Sequence, residues 1–325
     1  MLLWPAFLNG YPLVFVDTAS FLHQTTSAGP PVWDKPVIYG PLLHAFHWRT
    51  TLWLAVAAQA LLLSWLLWLT ARVLLGRSRI CAHLVLVAEL SVSTAAPWTA
   101  SLLMPDMLAP ALVLSTTLLG WGDGHPLERV GLVLIVVLAA AAHFSHLPLL
   151  GALLLALAAS RRWRGLRDTA AALLAALLLV VITNAAFQGR AAVSPYGAVF
   201  ALARMVADGP AARTVEARCP EMQWHLCRWA WRLPTDSDEF LWSPEGPTWT
   251  PRLDGALPGG PISFAPEAEA ILRETLACEP WGVLRAAAAN TVRQLFAVRT
   301  GDTLVPDHLP VSVGKQLALA FPAAG

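Results

Sequence analysis

"TTLWLAVAAQALLLSWLLWLTARVLL", Thr50 to Leu75, carries a single charge, Arg72, and that only near its end. Uninterrupted apolar runs of about 18 residues or more mark helices that cross a bilayer. Working outward from it, similar blocks recur along the chain. The whole sequence of 325 residues is 56% hydrophobic and 13% charged, with mean hydropathy +0.56. Soluble domains carry about 25% charged residues. A soluble fold this poor in charge would precipitate, so the composition predicts an integral membrane protein. The formal net charge of +1 offers no basic footprint of the kind nucleic acid requires.

The blocks predict an all-α polytopic bundle over residues 1–187, with about seven transmembrane helices near 1–16, 50–75, 80–97, 108–119, 130–142, 147–159 and 170–187. The first, Met1 to Val16, is short and contains Pro5, Gly10 and Pro12. It lacks the charged start and small-residue cleavage site of a signal peptide, and is read as a helix. Arg72, Arg77 and Arg79 follow the second block, Arg129 precedes the fifth, and Arg161, Arg162, Arg164 and Arg167 separate the sixth from the seventh. Loops rich in arginine stay on the cytoplasmic side. That places the N-terminus in the cytoplasm and residues 188–325 outside, as a periplasmic region of a bacterial inner-membrane protein.

This C-terminal region is richer in Pro and Gly. "YGAVFALARMVADG" (196–209) and "AEAILRETLACEPWGVLRAAAANTVRQLFAV" (268–298) have helical periodicity with arginines on one side, as expected of helices that lie on a bilayer or pack on the spans. The turn-rich segment between them promises little regular structure. Cys219 and Cys227 bracket the short loop "PEMQWHL" in an oxidising compartment, which predicts a disulfide between them.

Four ionisable residues fall on the expected outer face: Asp17 in "PLVFVDTASFL", Asp106 in "LLMPDMLAP", and His143 and His146 in "AAHFSHLP". Ionisable groups at a membrane are costly and usually face a cavity or a partner. Two acids and two imidazoles on one face are the makings of an acid/base or metal site. Each also has a plainer reading. Asp17 and Asp106 suit the starts of helices, and an interfacial histidine is often a snorkelling polar group. Glu89 lies deep in the third span, where His83, Ser91 and Thr94 are its expected partners, and helix-packing glue is the first reading of it. Trp33, Trp48, Trp98 and Trp121 fit an aromatic belt.

"NGYPLVFVDTASFL" and "LMPDMLAPALVLS" resemble the GT-C superfamily of polyprenyl-phosphate-sugar-dependent glycosyltransferases, with an acid just after the first span and a second in "PD" entering a later one from the same side. "CPEMQWHLCRWAWRLPTDSDEFLW" is similar to a segment of uncharacterised proteobacterial membrane proteins of this layout. The resemblance implies a transferase that moves a sugar from a polyprenyl-phosphate donor to an acceptor at the extracytoplasmic face. It implies Asp17 as general base, Asp106 as an assisting acid or as a ligand with Asp17 of a divalent ion such as Mg or Mn, and Lys35, Arg49, His143, His146 and Arg190 around the donor phosphate. Members of the superfamily usually have more spans than seven, and this chain stops at "LALAFPAAG", so a partial set of spans is expected. The first loop holds one acid beside Thr18, with Asp34 further along, where a paired acidic motif is usual. The rival readings are a polytopic transporter or flippase that uses Glu89, His83 and the outer carboxylates, and a non-catalytic membrane assembly protein whose Trp-rich outer segment binds a partner.

Overall fold

The structure, a computed structural model, describes residues 1–27, 32–76, 79–251, 259–297 and 313–321, apart from the side chain of Pro220. Arg77, Val298, residues 252–258 of the turn-rich segment and the last four residues of "LALAFPAAG" lie outside the described residues. The chain divides into two compact units, Met1–Val193 with Thr303–Gly325, and Ser194–Asp302. Among the described residues every regular element is helical, and one isolated parallel bridge joins Leu13 to Leu102.

The first unit contains α1 (Trp4–Asn9), α2 (Val16–Thr26), α3 (Tyr39–His47), α4 (Trp53–Leu75), α5 (Ile80–Ser93), α6 (Ala96–Ser101), α7 (Leu108–Trp121), α8 (Pro126–Ala142), α9 (His146–Ala159) and α10 (Trp163–Gln188). A 3-10 turn, Pro105–Met107, leads into α7. Of the described helices, α4 and α10 are long and apolar enough to cross a membrane, and α5 and α9 are shorter apolar helices. Seven such helices are not present by this measure. The core gathers Leu66, Leu112, Val136, Ala139, Ala172 and Val180, all fully buried or within 1% of it. Gly165 on α10 meets Gly120 on α7 so closely that a Cβ would fall 2.6 Å from the Gly120 Cα, the close backbone approach that small residues allow.

Residues 1–16 do not form the single helix expected of them. Gly10, at φ 77°, closes α1 in the left-handed conformation, and Pro12 lacks the N–H that would continue it. The chain then runs extended alongside residues 101–103. Leu13 N–H donates to the Ser101 carbonyl at 2.9 Å, and Leu103 N–H donates to the Leu13 carbonyl at 3.0 Å. Asp17 therefore lies in the first turn of α2 rather than at the end of a span.

The second unit contains α11 (Gly197–Ala207), α12 (Pro210–Met222), a 3-10 helix His225–Trp229, α13 (Ser237–Trp242), α14 (Pro261–Cys278) and α15 (Pro280–Leu295). Phe240, Leu202, Val215 and Ile271 form its core. The Cys219–Cys227 disulfide ties the end of α12 to the 3-10 helix. Within the bridged loop, the Glu267 carboxylate accepts the backbone N–H groups of His225 at 2.8 Å and Leu226 at 2.9 Å.

The boundary expected at 187/188 falls a few residues later, and the far C-terminal segment does not belong with the region that precedes it. There α16 (Lys315–Ala320) packs on α2 of the first unit. Gln316 donates to the Thr26 hydroxyl, and Phe321 meets the His47 ring edge to face.

Candidate functional site

The extended segment after α1 explains how two residues far apart in sequence share one place. Thr18 accepts the Phe15 N–H at 2.9 Å and donates its hydroxyl to the Leu103 carbonyl at 3.0 Å, so the start of α2 is fastened to the segment that leads into Asp106. Tyr39 extends the fastening, since its phenol donates to Gln59 Oε1 at 2.5 Å and Gln59 Nε2 donates to the carbonyls of Ala100 and Leu102. Gly40 allows α3 to approach α2, because any Cβ there would lie 2.4 Å from the Phe21 carbonyl oxygen.

Within this frame Lys35 Nζ stands 3.2 Å from Asp17 Oδ1 and 2.5 Å from Asp34 Oδ2. Asp34 is nearly buried, at 6% exposure, while Asp17 is 41% exposed. The second oxygen of Asp34 is buried and has no hydrogen-bond partner among the described residues. Asp106 is exposed on the 3-10 turn. His143 senses all three: burial lowers its affinity for a proton, the Asp106 and Asp17 carboxylates raise it, and the Lys35 ammonium lowers it. Burial and the charge of Asp106 both push the Tyr39 phenol well above its ordinary value.

The two imidazoles hold opposite tautomers. His146 Nδ1 lies 2.6 Å from the Ala139 carbonyl, which can only accept, so that nitrogen carries the proton and Nε2 keeps its lone pair. His143 Nδ1 receives the Ser145 N–H and is therefore the bare nitrogen, leaving the proton on Nε2. Their rings are 5.4 Å apart. Two carboxylates, Asp17 and Asp34, meet the one ammonium of Lys35.

The opposite end of the same helices is built from arginine. Arg72 of α4 forms a bidentate pair with Glu128 of α8, at 2.8 and 2.5 Å, and Arg129 of α8 meets Asp168 of α10 at 2.5 Å. Arg167 adds a second contact to Asp168, and the Arg162 guanidinium lies over the Trp121 ring. The 17 residues of α8 separate this end from His143 by about 25 Å.

Not every expected residue joins the cluster. Arg49 donates to the carbonyls of Leu319 at 3.0 Å and Ala320 at 3.3 Å, so its guanidinium caps the end of α16. Arg190 lies in the turn after α10, where its carbonyl accepts the Ala192 N–H. Glu89 is exposed on α5 and does not meet its expected partners: His83 bonds Ser64 instead, Thr94 bonds the Leu90 carbonyl, and the Ser91 hydroxyl is buried without a partner among the described residues. Among the described residues no three His, Cys, Asp or Glu side chains gather in a group able to hold a metal ion. Tyr39 and Gln59 are participants that the sequence did not single out, and Asp34, noted only as a further acid of the first loop, proves to be the closer partner of Lys35. The only sequence signal of Tyr39 and Gln59 is polarity among apolar neighbours.

Beside Tyr39 and Gln59 lies an apolar cavity of about 270 Å³, walled by Leu42 and Phe46 of α3, Leu62 of α4, Leu108 of α7 and Ile135 of α8. Its one polar corner is the Tyr39–Gln59 pair, and Leu108 is two residues from Asp106. Compared with protein-family models, curated proteins and solved structures, the chain matches none.

Proposed function

We propose that this chain is a multi-pass inner-membrane protein of glycosyltransferase type that moves a sugar from a polyprenyl-phosphate donor to an acceptor at the extracytoplasmic face. The observation that carries this reading is the meeting of Asp17, Lys35, Asp106 and His143 at one end of the bundle, beside an apolar cavity. The arginine-lined ends of α4, α8 and α10 supply the cytoplasmic side of this arrangement. Leu174, Leu178 and Ile182 stand 62 to 63% exposed along one side of α10, an apolar stripe suited to lipid. With α5, α7, α8 and α9 as further crossings, six in all, the arginine end faces the cytoplasm, and because residues 1–16 form no crossing the N-terminus lies with Asp17 and the second unit on the periplasmic side.

In this mechanism Asp17, the most accessible member of the ion-paired set, takes the proton of the acceptor hydroxyl as the acceptor oxygen forms its bond to the anomeric carbon. The bond from that carbon to the lipid phosphate oxygen breaks, and its electron pair leaves with the phosphate. Lys35 then turns from the carboxylates toward the departing phosphate, whose negative charge it offsets. His143 carries its proton on Nε2 and from there donates a hydrogen bond to a phosphate oxygen, keeping the proton. The polyprenyl chain enters the apolar cavity.

The test uses the full chain in proteoliposomes with polyprenyl-phosphate-linked sugars, and reads release of the free lipid phosphate. Asp17→Asn is expected to lower turnover by at least about 100-fold with unchanged thermal unfolding, because general-base removal costs about 10²–10⁴. Unchanged turnover in Asp17→Asn, or a parent protein that releases no lipid phosphate from any donor, overturns the reading.

A further inference from the structure

In a helix that belongs to a water-soluble core, the bulky apolar face turns inward. In α15 the arrangement is reversed. Trp281, Leu284, Val292 and Leu295 recur at spacings of three, eight and three, which places them on one stripe at 3.6 residues per turn. They are 77%, 58%, 55% and 77% exposed, and Phe296, just beyond the helix, is 77% exposed. The half-buried face carries smaller side chains, Gly282, Val283, Ala286 and Asn290, and Asn290 donates to Asp208 at 2.7 Å. No residue of α15 is fully buried. The helix is nevertheless held firmly at its start, where Glu279 accepts a bidentate contact from Arg213 of α12.

The stripe is bordered by charge of one sign. Arg285 lies at its edge, Arg293 lies further round, and α15 contains no acid. An apolar stripe with an indole at one end and flanking guanidinium groups matches the boundary between acyl chains and anionic head groups. We propose that α15 lies in the surface of an anionic bilayer with Trp281, Leu284, Val292 and Leu295 in the acyl boundary, and with Arg285 reaching the lipid phosphates. The inference rests on the proposed membrane setting of the chain. It does not depend on the chemistry of the carboxylate cluster.

The experiment uses the full chain with Cys81→Ser and Cys278→Ser, carrying one new cysteine with an environment-sensitive fluorophore at Leu284→Cys on the stripe or at Gln294→Cys away from it. The protein is reconstituted into vesicles of phosphatidylcholine with or without phosphatidylglycerol. Lipids with brominated acyl chains are expected to quench the label at 284 several-fold more than at 294, and more strongly when phosphatidylglycerol is present. Aqueous iodide is expected to give the reverse order. Equal iodide access at both positions, in protein that resists alkaline extraction from the vesicles, overturns the inference and leaves the membrane setting intact. Protection of 284 from both quenchers also overturns it, since protein then covers the stripe. Loss of the chain on alkaline washing overturns the membrane setting, and the inference with it.

Discussion

At Lys35 a single ammonium, 11% exposed, faces two carboxylates, and the more buried of them, Asp34, has no other cation near it among the described residues. Taking charges out of water is costly unless they are paired, so Asp34 fixes Lys35 and Lys35 in turn orients Asp17. The sequence drew notice to Asp17 as an acid after an apolar run and to Lys35 through the family resemblance, and it set Asp34 beside Lys35 without showing that Lys35 joins Asp34 to Asp17. His47 offers a test at this same scale. It is fully buried, and burial, His44 and Arg49 together lower its pKa from 6.5 to about 4. Its Nδ1 accepts the Arg49 N–H, and its ring meets Phe321. Between pH 6.5 and about 4 the unfolded chain binds a proton that the folded chain refuses, so stability falls as acid is added across that window and levels below it. The loss is at most about 3 kcal/mol. Thermal unfolding of His47→Gln compared with the parent, in steps from neutral pH downward, should show the difference between them shrinking as the window is crossed. A constant difference would mean that His47 takes up its proton equally in both states.

Elements differ in how openly their causes are written. Helices α4 and α10 follow from long apolar runs, and their bounds lie near the predicted ones at 50–75 and 170–187. The first predicted span fails because Gly10 and Pro12 outweigh the apolar composition around them, and the freed strand finds hydrogen bonds on residues 101–103, a pairing with no local signature. The Cys219–Cys227 bridge was legible from spacing and compartment. What holds the neighbouring 3-10 helix was not, because Glu267 lies some forty residues away in sequence. Its carboxylate accepts the N–H groups of His225 and Leu226, residues 8% and 0% exposed, so removing it strands two donors in a site with little water. Glu267→Ala should destabilise the second unit by about 2 kcal/mol, and Glu267→Gln, which keeps one acceptor oxygen, by less. Denaturant unfolding followed by tryptophan fluorescence measures both. Equal, negligible losses would assign the hold on this helix to the disulfide alone.

Across the whole molecule, two separate patterns bear on the sidedness of the chain. Arginines gather at one end of α4, α8 and α10, and the Asp17, Asp106 and His143 cluster forms at the other. Arg49 shows why counting charges in loops gives no more than this: its guanidinium is engaged by the α16 carbonyls, from residues some 270 positions later, and no loop composition reveals that. The two free cysteines give a direct measurement. Cys81 is exposed in the first turn of α5, close in sequence to the arginine-bearing loop, and Cys278 is exposed at the end of α14 in the second unit. If arginine marks the cytoplasmic side, the two thiols lie on opposite sides of the membrane. A membrane-impermeant maleimide should then label Cys278 in cells with a permeable outer membrane and an intact inner one, and should reach Cys81 only after the inner membrane is opened. Cys278→Ser should abolish the first signal and leave the second. Labelling of both thiols from the outside would place the arginine end and the second unit on one side, and would remove the topology on which an extracytoplasmic carboxylate site depends.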